Sequence, residues 1–163
     1  MRRGVALALG GLALLAAGGV AWRVLEPAEA QTLADPGDAA QVARGAVIYA
    51  EACAACHGAE LEGAANWREP GPDGRLPAPP HDETGHSWHH GDRLLFDYTK
   101  LGGAGALAKQ GVTGFDSGMP AFEGVLTDQE IWDALAYIKS EWPEDVRAAQ
   151  AERDALARQG EDG

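Results

Sequence analysis

Two thiols and an imidazole stand together in Cys53-Ala54-Ala55-Cys56-His57, and the chain has no other cysteine. Residues three apart lie about one turn from each other on a helix, so both sulfurs can face one flat ligand. That spacing suits two thioether bonds to the two vinyl groups of a haem, with the adjacent His57 placed under the iron as an axial ligand. Other chemistries use a close cysteine pair. A thioredoxin-like dithiol needs a βαβ setting, which the sequence pattern lacks. A zinc site needs further ligands, and a second cysteine pair does not exist. A disulfide between such near neighbours closes a strained ring. Covalent attachment of one haem is therefore the expectation, and it keeps the cofactor from being lost by dilution outside a cell.

An iron held from one side leaves its other side to be filled. Met119, the one methionine besides the initiator, sits between Gly118 and Pro120 in a stretch with no helical period. A lone methionine commonly fills a core, but a thioether is also a soft ligand for low-spin haem iron that raises the reduction potential. The competing ligands are His81, His86, His89 and His90; a bis-imidazole haem would have a lower potential. The same four histidines could instead gather a copper or zinc ion, or lie exposed on a loop with one or two of them hydrogen-bonding the haem edge. Trp88, Leu94, Leu95 and Tyr98 are candidates for the wall of the haem pocket, and Trp67 has no assignment.

These residues need elements to hold them. Val42, Gly45, Ala46 and Tyr49 recur at helical spacing behind Asp38, a candidate cap, so a helix should run into the Cys53 region and stop near Gly58. Residues 58–90 are rich in Pro and Gly and read as a long loop. A short helix is expected over 92–101, with Leu94, Leu95 and Tyr98 on one face, ended by Gly102 and Gly103. Irregular chain follows through Gly111, Gly114 and Gly118 to Pro120. Thr127-Asp128-Gln129-Glu130 then fits a capping box, opening a helix with Ile131, Leu135 and Ile138 on one face and Pro143 as its stop. No strand pattern or internal repeat is present, so the fold class is all-α.

The full chain has a net charge of −12, which argues against nucleic acid as a partner and suits docking on a basic protein surface. Aromatic residues make up only 7% of it, so a buried flat cofactor would supply apolar surface that the side chains lack. Arg2 and Arg3 precede 19 uncharged residues, Gly4 to Trp22. That length favours an uncleaved anchor over a cleaved signal peptide, although Ala28-Glu29-Ala30 offers a small-residue cleavage site. Either way the body is expected outside the cytoplasm, periplasmic and tethered to the inner membrane if residues 4–22 persist. The organisation read from the chain is a leader over 1–30, a linker over 31–37, a haem domain over 38–143 and a charged tail over 144–163, at best a solvated helix.

From Val42 to Trp142 the sequence resembles the class I monohaem cytochromes c. The resemblance rests on Gly45 and Tyr49 ahead of Cys53-Ala54-Ala55-Cys56-His57-Gly58, on Gly118-Met119-Pro120, and on Ala136-Tyr137-Ile138. It implies a cytochrome c-like fold of three to four helices around one covalent haem c, with Gly45 meeting Tyr137 where the first and last helices cross. It further implies Met119 as the second axial ligand. A proline carbonyl, from Pro79 or Pro80, is implied to orient the far nitrogen of the histidine. The expected function is single-electron transfer between protein partners such as an oxidase, reductase or dehydrogenase, without catalysis on a small molecule. A haem subunit or gas sensor with an open iron position, and a metal-handling module built on the loop histidines, are the alternatives. The Pro-rich insert with its four histidines departs from the family pattern.

Overall fold

In the computed structural model, residues 33–161 are described; the apolar leader and its candidate cleavage site lie outside them. Five α-helices follow in order: α1 (Ala39–Ala52), α2 (Ala54–His57), α3 (Asp92–Lys109), α4 (Asp128–Ser140) and α5 (Glu144–Glu161), with a 3-10 turn at Ser87–His89. No β-strand occurs among the described residues beyond one isolated bridge between Glu123 and Leu126. The all-α expectation holds. Among the described residues no helix is long and apolar enough to cross a membrane.

Asp38 caps α1, its carboxylate accepting from the backbone N–H groups of Ala40 and Gln41 at 2.9 and 3.1 Å. Thr127 opens α4 with the full capping box: its hydroxyl accepts from the Glu130 N–H, and the Glu130 carboxylate accepts from the Thr127 N–H at 2.7 Å. The two helices cross at Gly45. A Cβ there would overlap the carbonyl of Asp133 and stand 2.9 Å from Tyr137 Cβ, so only glycine permits this approach. Arg44 pins the same crossing, with Nε and Nη2 donating to the Asp133 carboxylate at 2.6 and 3.2 Å. Ile131, Leu135, Ile138 and Trp142 carry the α4 side of the core, against Tyr49 and Phe96.

Two expectations change. The helix expected to end at Gly102 breaks there but resumes to Lys109: Gly102 takes φ 71° inside α3, a left-handed conformation that interrupts the helix without ending it. The charged tail is the helix α5, and one of its faces is buried. Gln150 Nε2 donates to Asp92 Oδ1 at 2.7 Å and to the His90 carbonyl at 3.2 Å. Asp154 accepts from the Asp92 N–H at 2.8 Å, and Lys139 donates to both Asp92 oxygens at 2.8 and 2.7 Å. Burying these ions costs desolvation, which close pairing and further hydrogen bonds offset. The result ties α5, α4 and the start of α3 together.

Candidate functional site

α1 ends at Ala52, and Cys53 leaves the regular helix at φ −118° before α2 resumes for one turn. Gly58, at φ 83°, ends that turn, and its N–H donates to the Ala54 carbonyl at 2.9 Å. Tyr49, buried on α1, donates its hydroxyl to the Gly58 carbonyl at 2.8 Å. The segment Cys53–His57 is thus held at both ends. Cys53 and Cys56 are not bonded to each other, and both line a cavity of about 870 Å³. Burial pushes the Cys53 thiol up to about 11, with the neighbouring Cys56 adding to the shift.

His57 is 8% exposed and lines the same cavity. Its Nδ1 lies 2.8 Å from the carbonyl oxygen of Pro79. A carbonyl only accepts, so Nδ1 carries the proton and Nε2 keeps a free lone pair, the arrangement of a metal-ligating imidazole. Burial lowers the His57 pKa, and the hydrogen bond to Pro79 partly opposes this; the neutral form that a metal requires is favoured. Of the two prolines, Pro79 supplies the carbonyl, while Pro80 is buried against Gly63 and Gly85.

Met119 reaches the cavity from a different part of the chain. Its loop lies against the break in α3. A Cβ on Gly102 would stand 2.9 Å from the Met119 carbonyl oxygen and 2.8 Å from the Ala121 nitrogen, and one on Gly103 would overlap Ser117. The break also frees helix carbonyls, which the loop's N–H groups take up: Phe122 donates to Thr99 at 3.2 Å and Glu123 to Lys100 at 3.0 Å. The paired glycines, which the sequence marks as a helix stop, cradle the methionine loop.

Among the wall candidates, Pro79, Leu95 and Tyr98 line the cavity; Pro80, Trp88 and Leu94 do not. Trp88 turns away to stack on His89 at 3.8 Å, under the Arg153 guanidinium of α5. Leu135, Ile138 and Phe122 complete much of the apolar surface, with Trp142. Three of the four loop histidines, His81, His86 and His90, line the cavity, and the fourth, His89, stacks on Trp88. His86 stacks parallel to Trp67 at 5.7 Å and meets His90 edge-on at 5.4 Å, and both line the cavity. His81 lies face to face with His57, its ring centroid 4.0 Å away and the planes 22° apart. Burial pushes His81 down to about 3, with the neighbouring His57 and His86 adding to the shift. No group of three His, Cys, Asp or Glu among the described residues is arranged to hold a metal ion.

The cavity has the size of a cofactor pocket, within roughly 300–1,000 Å³. It combines two thiols, an imidazole with its lone pair free, a thioether and apolar walls, a donor set that fits a flat iron macrocycle. The family model described as Cytochrome c matches residues 42–142. No curated protein and no solved structure gives a significant match.

Proposed function

This chain belongs to the cytochrome c family and carries covalently bound haem c, and from that premise we propose a single-electron carrier whose iron is held by His57 and Met119. Cys53 and Cys56 make the two thioether bonds. The observation that supports this reading most directly is that both thiols, His57 with its Nδ1 on the Pro79 carbonyl, and Met119 all line one cavity. When bound, haem c supplies a one-electron ferric/ferrous couple.

The chain's own residues set the terms of that couple. The Pro79 carbonyl holds the His57 proton at Nδ1, which fixes the tautomer and raises the basicity of Nε2. Leu95, Leu135 and Ile138 present apolar surface to the pocket, which lowers the local dielectric and favours the less charged reduced state. The α3 break holds the Met119 loop against the pocket, so its thioether would be in place to hold the iron with little rearrangement of the chain. Partner proteins dock where the pocket opens to the surface, and the acidic charge favours a basic partner. We place this work outside the cytoplasm, with residues 4–22 as a tether to the inner membrane.

A redox titration with optical spectra of the purified protein tests the ligand pair. The oxidised protein should show the weak sulfur-to-iron charge-transfer band at the red edge of the visible range, and the reduced protein should resist carbon monoxide. Replacing Met119 by Ala should abolish the band, lower the potential and open the iron to carbon monoxide. An oxidised wild-type protein without the band, whose reduced form binds carbon monoxide readily, would overturn the carrier reading in favour of an open-iron protein.

A further inference from the structure

None of the loop histidines takes part in the ligation described above, and His81 is the one that packs on His57. Its ring faces that of His57 at 4.0 Å. Two imidazoles that bind one iron from opposite sides meet nitrogen to nitrogen across it, not face to face, so His81 is not the second ligand. It is also held more firmly than a loop residue needs to be. Its N–H donates to the Leu61 carbonyl at 2.7 Å, and its own carbonyl accepts from Trp142 Nε1 at 2.6 Å. Its Nδ1 lies 2.8 Å from the hydroxyl of buried Ser87. Backbone and ring are therefore both fixed.

The single hydrogen bond from His57 Nδ1 to Pro79 is a soft restraint on the ring plane, since rotation about Cβ–Cγ bends it and then breaks it. A flat ring against one face, itself locked, opposes that rotation. From this arrangement we infer that His81 is a positioning residue that sets the ring plane of His57, with Ser87 fixing His81 in turn. The inference rests on His57 being an axial ligand. An aliphatic side chain would fill the same space without defining a plane. A phenyl ring would keep the face but lose the lock from Ser87.

The orientation of an axial imidazole plane is read in the g-value spread of low-spin ferric haem by electron paramagnetic resonance. In the holoprotein, H81A should broaden or split the low-spin signal. It should also raise the potential, because a swinging His57 loses its hydrogen bond to Pro79 and becomes a weaker donor. H81F should return the signal toward a single narrow species. S87A, which leaves both imidazoles in place, should shift the g values in the same direction as H81A by a smaller amount. If H81A fails to load haem, S87A alone decides. A wild-type signal and potential in S87A, together with H81A where it loads, would overturn the inference and leave His81 as packing that affects only the melting temperature. A separate control guards the premise: H57A that retains the wild-type low-spin signal removes His57 as a ligand, whatever His81 does.

Discussion

The two sides of the pocket are built by different means. The side carrying Cys53, Cys56 and His57 is continuous with the α1–α4 crossing. There a glycine admits backbone contact, a buried tyrosine ties the end of α2, and a buried carboxylate takes an arginine fork. The Met119 side rests on a broken helix, a few backbone hydrogen bonds and an ion pair between Arg75 and Asp116 at 2.9 Å, whose side chains are 45% and 67% exposed. Met119 itself is only half-buried. Local opening follows buried contacts and protected hydrogen bonds, so the thioether side is the one that yields first. In the proposed reading, one side of the pocket holds the haem covalently and the other supplies the Met119 thioether.

The contrast is broken most severely at Gly45. G45V places a Cβ on the Asp133 backbone, and overpacking of this kind costs about 3 kcal/mol; urea titration should show that loss, with haem loading impaired. G102V attacks the other side. A strained φ of 71° and contact with the Met119 carbonyl should cost about 2 kcal/mol. The informative result is spectroscopic: the sulfur-to-iron band should vanish while the haem stays attached. A G102V protein that loses its haem instead would show the two sides to be one unit.

Arg44 offers a milder test with a pH signature. Burial alone would raise the Asp133 pKa, but the Arg44 guanidinium and the Gln129 and Gln41 amides hold the carboxyl below its ordinary value. A carboxyl with a depressed folded-state pKa stabilises the fold above the unfolded value of about 3.9. That contribution fades as pH falls through the lower folded value. R44M, with Arg44 half-exposed, should therefore lose up to about 1 kcal/mol at neutral pH. The difference from wild type should close as the pH is lowered into the acid range; denaturation curves across that range check it. The smallest effect is expected at Arg75. R75A removes a solvent-exposed ion pair, of a kind that contributes little, and the thermal midpoint should barely move.

What the sequence reveals divides along similar lines. The capping residues Asp38 and Thr127, the apolar stripe of α4 and the Cys53–His57 segment are local signals, and they are legible because spacing along the chain dictates them. The fixed side of the pocket is mostly of this kind. The docking of α5 is hard to read because Gln150 and Asp154 anchor it beside the apolar contact of Val146 with the core, and hydropathy does not register a face buried largely through polar groups. His81 was hidden among three similar histidines for a related reason: its partners, Leu61, Ser87, Trp142 and His57, are assembled by the loop's path and not by its composition. Gly102 and Gly103 did signal a break, but a glycine pair reads equally as a helix end or as a cradle for another segment. Only the approach of Met119 distinguishes the two.

Attachment on the Cys53–His57 side of the pocket can be tested chemically. Unfold the purified holoprotein, extract it with acidified organic solvent, and weigh the tryptic peptide Gly45–Arg68, which contains both cysteines and His57. Pigment that stays with the polypeptide, and a Gly45–Arg68 peptide heavier by one haem, are the predicted results. Pigment in the solvent, or that peptide at its unmodified mass, would contradict the attachment on which the rest depends.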